Sequence, residues 1–143
     1  MHMSPSGLLV VPVLLSFAAC QPVFRGTGTD PDGPACQASL AQGGVVHVDV
    51  AYAPDGMPSA SPDTCKVASG TRIVFRTPPG EARTFSIEFS GPPPGARAAG
   101  RLPSVARGSQ RVVELLADGA PGSYKYDIHA NGRTLDPVII IDR

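Results

Sequence analysis

Apolar and polar residues alternate in short runs through most of the chain. Val45–Tyr52 (VVHVDVAY) is the clearest: Val46, Val48, Val50 and Tyr52 fall on one side, and Val45, His47, Asp49 and Ala51 on the other. A period of two sends successive side chains to opposite faces, so this segment reads as a half-buried strand. In Thr71–Arg76 (TRIVFR), Ile73 and Phe75 alternate with Arg72 and Arg76. Residues 83–89 (RTFSIEF) set Phe85, Ile87 and Phe89 against Thr84, Ser86 and Glu88. Residues 110–116 (QRVVELL) and 123–129 (SYKYDIH) add two more strands, the second with Tyr124, Tyr126 and Ile128 inward. Residues 138–141 (VIII) form a fully apolar closing strand, before which Pro137 is tolerable as a first strand residue.

Turn chemistry separates these runs. Residues 53–63 are turn-rich, Pro78-Pro79-Gly80 ends one strand, and residues 118–122 (DGAPG) form another turn. Asn131-Gly132 is the strongest hairpin signal, because both central residues of a type I′ turn need positive φ. Residues 91–109 are long, rich in Pro and Gly, and basic. They predict no regular strand, because Pro92, Pro93 and Pro94 cannot donate to a ladder. Six or seven short strands and no helix predict an all-β, Greek-key β-sandwich or barrel. Tyr124, just after the Pro121-Gly122 corner, is placed either to return its hydroxyl to the upstream backbone, as in a tyrosine corner, or to serve as a plain core tyrosine.

One apolar run differs in kind. Residues 8–19 (LLVVPVLLSFAA) would span about 18 Å as a helix at ~1.5 Å per residue. That is short of the ~30 Å hydrocarbon core of a bilayer and suits the apolar region of a signal peptide. The run ends in Phe17-Ala18-Ala19-Cys20, which resembles the lipobox of bacterial lipoproteins. Phe17 stands where Leu is usual, and residues 1–7 carry no Lys or Arg. The resemblance implies cleavage before Cys20 and lipidation of that cysteine, and Gln21 after it favours the outer membrane, facing the periplasm. An ordinary secretory signal with an incidental cysteine is the alternative. Residues 1–19 are then the signal peptide, residues 20–34 (CQPVFRGTGTDPDGP) a flexible lipid tether, and residues 35–143 the domain.

Composition adds three constraints. Acidic and basic residues balance at 12 each, so net charge points to no nucleic-acid partner. Gly and Pro number 16 each, which fits many turns and little helix. The cysteines number three, and setting Cys20 aside leaves Cys36 and Cys65. In an exported chain an even remainder predicts one disulfide. The competing reading, a metal or catalytic thiol, needs a His or second Cys at ligand spacing, and neither cysteine has one.

From Gly70 to Arg143 the chain resembles the cupredoxins, the plastocyanin and azurin type of β-sandwich. The residues that carry this are Gly70-Thr71-Arg72-Ile73-Val74-Phe75, then Arg83-Thr84-Phe85, then Pro121-Gly122-Ser123-Tyr124-Lys125-Tyr126 with its closing apolar strand. A blue-copper site needs two imidazoles, a thiolate and a weak axial thioether. The resemblance puts the thiolate at the position of Ile128, one imidazole near Arg83, and the remaining ligands in the loop Ala130-Asn131-Gly132-Arg133. None of these residues can ligate copper in that way, so the resemblance implies the scaffold without the metal, and no cofactor is expected.

Other candidate chemistry is sparse. His47 with Asp49, and His129 with Asp127, lie on the polar sides of their strands and would form an N/O metal site only if the strands met; otherwise they are solvent-facing. No serine sits in a Gly-x-Ser-x-Gly turn, the glutamates form no recognisable pair, and no catalytic residue is expected. Arg97, Arg101, Arg107 and Arg111 are candidates for docking an anionic partner, an envelope protein or an anionic glycan, against the alternative of a solvated loop. The sequence therefore predicts a non-catalytic, membrane-tethered binding or assembly module, with a non-blue metal-handling protein as the alternative.

Overall fold

The computed structural model describes residues 30–37, 44–95 and 100–142. Residues 1–19, expected to be a signal peptide, together with Cys20 and Arg97, lie outside the described residues. The fold is all-β, built as two mixed sheets packed face to face in a sandwich. The first sheet has the order β2-β1-β4-β8-β7, and the second β3-β11-β9-β5-β6, with β10 pairing β9. The ranges are β1 Val45–Tyr52, β2 Pro58–Ser61, β3 Thr64–Ala68, β4 Thr71–Arg76, β5 Ser86–Phe89, β6 Arg101–Pro103, β7 Val105–Arg107, β8 Gln110–Ala117, β9 Gly122–Ala130, β10 Arg133–Leu135 and β11 Val138–Asp142.

The six expected strands are present, and alternation explains their faces. Val46, Val48 and Val50 of β1, Ile73 and Phe75 of β4, and Val113 and Leu115 of β8 meet Ile87 and Phe89 of β5 and Tyr126 and Ile128 of β9 in one core. Phe75 meets Tyr126 edge-on with ring centroids 5.3 Å apart, a favoured geometry for two aromatic quadrupoles. Two parallel ladders, β1 with β4 and β3 with β11, sit among antiparallel ones.

Five short strands raise the count from the expected six or seven to eleven among the described residues. They mostly close the flanks. β2 pairs with β1 in the first sheet, and two residues later β3 pairs with β11 in the second. On the other flank β6 pairs with β5 in the second sheet and β7 with β8 in the first. Ser104 is the corner between them. It is buried, its amide donates to the Phe85 carbonyl at 2.8 Å, and its hydroxyl accepts from the Phe85 amide at 3.0 Å. The expectation that residues 91–109 hold no strand is therefore corrected. Pro92, Pro93 and Pro94 do stay outside the ladders, but residues 101–107 cross from one sheet to the other. Strands that change sheets at a bend are a general way to make the corners of a sandwich.

The remaining short strand completes a hairpin. Asn131 and Gly132 have φ of 53° and 70°, as a type I′ turn requires. Beyond it β10 and β11 run along β9 in a single register, Arg133 facing Ala130 and Val138 facing Lys125. Asp136-Pro137 interrupts the ladder because proline has no N–H to contribute. At the other end of β9 the Tyr124 hydroxyl donates to the Ala120 carbonyl at 2.5 Å, the local return expected at this corner.

Cys36 and Cys65 form a disulfide that joins the entering segment to β3. Both are buried in the core. At a sequence separation of 29, the loop constraint contributes roughly 3.5 kcal/mol in the chain-entropy model. The double variant Cys36→Ala/Cys65→Ala should lose about that much unfolding free energy, read by urea denaturation. A loss under about 1 kcal/mol would show that noncovalent contacts already hold this flank.

Candidate functional site

Two polar constellations stand out, one on each sheet. The first surrounds residues 30–36. Residues 30–33 meet the outward-facing side chains of His47 and Arg76, and residues 34–36 run alongside β1. Ala35 makes a parallel bridge to His47, with hydrogen bonds from the His47 amide to the Pro34 carbonyl (3.0 Å) and from the Cys36 amide to the His47 carbonyl (2.8 Å). The His47 Nδ1–H donates to the Gly33 carbonyl at 2.9 Å, and this histidine is only 7% exposed. Gly33 has φ of +70°, and a Cβ there would stand 1.9 Å from the Val45 carbonyl oxygen. Only glycine fits so close to β1.

Arginines clamp the rest of the segment. Arg76 at the end of β4 donates to Asp30 (2.8 Å), Asp32 (2.9 Å) and Asp49 (3.1 Å). Arg107 of β7 donates to the same Asp32 oxygen at 2.5 Å. The Asp32 side chain is 4% exposed, so two guanidinium groups neutralise a carboxylate taken out of water. Hydrogen bonding from Arg76 brings the Asp30 carboxyl down to about 2. For Asp32, burial works to raise the pKa, but hydrogen bonds from Arg107 and Arg76 outweigh it and hold the group below its ordinary value. Residues 30–34, at the end of the stretch expected to be tether, are thus docked on the sheet.

The second constellation lines a cleft of about 610 Å³ formed entirely by the second sheet and its loops. β5, β6, β9 and the β9–β10 hairpin bring together Thr84, Ser86, Arg101, His129, Arg133 and Thr134. Ser86 faces His129 across the β5–β9 ladder, and Thr134 faces it across β9–β10. The His129 Nδ1 lies 3.1 Å from the Thr134 hydroxyl, and its Nε2 lies 3.0 Å from a Glu88 carboxylate oxygen. The His129 Nε2 is buried and makes no hydrogen bond, the Glu88 oxygen lying beside it without hydrogen-bond geometry. The Arg101 Nε donates to the Ser86 hydroxyl at 2.9 Å, and Ser86 is itself buried.

The candidate residues separate accordingly. His47 and Asp49 belong to the clamp; His129 lines the cleft, and Asp127 lies on the same outward face of β9. The histidines sit on different sheets, each on the side away from the core. Packed sheets stand ~10 Å apart, whereas a shared ion needs nitrogens within ~2.1 Å of it, so His47 and His129 do not combine. Among the described residues no group of three or more His, Cys, Asp or Glu side chains is placed to hold a metal. The arginines also disperse: Arg107 holds Asp32, Arg111 donates to the Ser104 carbonyl at 2.8 Å, and Arg101 lines the cleft.

Asp30, Asp32, Arg76, Ser86, Arg133 and Thr134 were not singled out from sequence. For two of them a signal existed. A two-residue Asn131-Gly132 turn fixes Ala130 opposite Arg133 and His129 opposite Thr134, so the hairpin motif already placed Thr134 beside the imidazole. A scan against protein-family models finds no match for the chain, and a search of curated proteins finds none.

Two outcomes test the clamp. Gly33→Ala should cost about 2 kcal/mol through its positive φ and the clash with Val45, and should speed amide exchange at Cys36 and His47; unchanged exchange there would show the segment is not held by this contact. The pH response has a definite sign. A folded carboxyl pKa below the unfolded value gives stability that is present above pH ~4 and lost as pH falls toward about 2, where Asp30 itself protonates. Unfolding free energy measured from pH 5 to 2 should therefore fall less steeply in Arg76→Gln than in the unaltered chain. Equal slopes would show the clamp contributes nothing to acid sensitivity.

Proposed function

We propose that the chain is a bacterial envelope lipoprotein whose folded part is a non-catalytic binding module on a copper-free, cupredoxin-like scaffold, and that the cleft beside His129 is where it binds. The cleft carries the reading: a concave site of about 610 Å³ with arginine, histidine and hydroxyl side chains and, among the described residues, no carboxylate in its lining. Concave sites with a few convergent polar groups are where proteins hold small ligands.

The cysteines support the lipoprotein part. Two of the three are joined to each other, which leaves Cys20 without a cysteine partner inside the chain. A buried disulfide also suits an oxidising compartment outside the cytoplasm. Asp30 is already docked, so about ten residues separate Cys20 from the domain, or roughly 35 Å at full extension. The cupredoxin-like part draws support from the two-sheet sandwich and from the Tyr124-Lys125-Tyr126 strand pairing with the closing strand β11. Where the resemblance would require a thiolate, Ile128 is fully buried in the core.

A second reading has one observation on its side. Thr134, His129 and Glu88 lie in the order hydroxyl, imidazole, carboxylate, with a hydrogen bond at the hydroxyl and none at the carboxylate; this is the order of groups that activates a serine in hydrolases. Turnover of p-nitrophenyl acetate by the purified chain, abolished in both Thr134→Val and His129→Gln, would make the protein an acyl-transfer enzyme. A rate no greater in the unaltered chain than in either variant is the expected result. For the address, palmitate fed to expressing bacteria should label the chain and not its Cys20→Ala variant. Unlabelled protein in the medium would overturn the lipid anchor.

A further inference from the structure

The reading of the cleft as the binding site leaves its ligand open, and the charges in and around it narrow the class. Resting on that reading, we infer that the cleft takes a sugar bearing an oxyanion, a uronic acid or a sugar phosphate, with Arg101 and Arg133 holding the anionic group.

Acids and bases balance at 12 each over the whole chain, and three arginines elsewhere meet carboxylates: Arg76 and Arg107 at Asp32, and Arg83 at Glu81. The cleft departs from that pattern. Among the described residues its lining holds Arg101 and Arg133 and no acid. Glu88 faces Arg101 across the β5–β6 ladder, yet its carboxylate oxygen lies against His129 at 3.0 Å. Among the described residues neither Arg101 nor Arg133 makes an ion pair.

Arg101 is also oriented in advance. The hydroxyl of the buried Ser86 accepts from its Nε, which leaves the two Nη groups to form a forked pair of hydrogen bonds. Such a fork matches the two oxygens of a carboxylate or phosphate. A guanidinium fixed by a buried hydroxyl loses less freedom on binding than a free side chain. Arg133 sits directly after the type I′ turn, on a short strand registered by the hairpin rather than on a loose loop.

The rest of the wall suits a polyol. The Thr84 and Thr134 hydroxyls and the His129 ring supply donors and acceptors, while Pro103 gives an exposed apolar surface for a sugar ring face.

The test is an NMR titration of the isotope-labelled full chain at constant ionic strength with glucuronate, glucose 6-phosphate, inorganic phosphate and glucose. Glucuronate or glucose 6-phosphate should give saturable shifts at the amides of Ser86, Arg101 and Thr134. Arg101→Gln and Arg133→Gln should each weaken that binding about tenfold, the scale of one lost charge-assisted hydrogen bond. Arg72→Gln, an exposed arginine of the first sheet, should leave it unchanged. Equal binding of glucose would overturn the oxyanion while keeping the cleft as a binding site. Equal binding of inorganic phosphate would overturn the sugar. Weakening by Arg72→Gln to the same degree would reduce the effect to overall charge and overturn the site. No saturable shift with any of the four would overturn the inference, and leaves the lipid anchor to be judged by palmitate labelling.

Discussion

The bond between Cys36 and Cys65 ties the segment entering the fold to the edge strand of the opposite sheet. The two sheets also meet through a core made largely of valine, isoleucine and a few aromatics. The disulfide fixes one flank. On that flank the chain also passes from β2 to β3 through Pro62 and Asp63, so covalent connection and crosslink act at the same edge. On the opposite flank the work falls to Ser104, whose two hydrogen bonds with Phe85 hold the chain as it changes sheets. Edge strands that continue into the other sheet also leave fewer open backbone groups for another chain to pair with.

The clamp follows from the same constraint. Cys36 reaches β3 while the preceding Ala35 bridges β1, and Gly33 permits the close approach of the segment to Val45. Asp30 and Asp32 then come to rest beside Arg76 and Arg107. Burying Asp32 would cost several kcal/mol if it stood alone; with two guanidiniums on it, the segment is held electrostatically at one end and covalently at the other.

Much of the fold was legible in the sequence because its long strands are half-buried and alternate. Val45–Tyr52 and Thr71–Arg76 match their expected bounds, and the Asn131-Gly132 turn and the Tyr124 hydroxyl contact fall where local chemistry puts them. The segments that were not legible are short and lie beside a longer neighbour. Residues 101–107 carry proline and arginine and have no face of their own; they become strands because β5 and β8 offer open edges. The Cys36–Cys65 pairing was readable from counting. The cleft was not, because Ser86, His129 and Arg101 come from three strands whose adjacency only the sheet order sets. Nor could the arginines be sorted by use, since Arg107 and Arg101 look alike in a basic loop until Asp32 and Ser86 claim one each.

The two polar constellations lie on different sheets, and this separation bears on how they would work together. The clamp holds the chain as it comes from the N-terminal side onto the outer face of the first sheet, whereas the cleft belongs wholly to the second. Under the proposed anchor at Cys20, docking of residues 30–34 shortens the stretch between that cysteine and the domain from about fifteen residues to about ten. The clamp then limits how far the domain would stand from its anchor and sets no direction for the cleft. No residue of the clamp lines the cleft, so loosening Asp32 and its two arginines would lengthen the reach of the domain without altering the groups around His129.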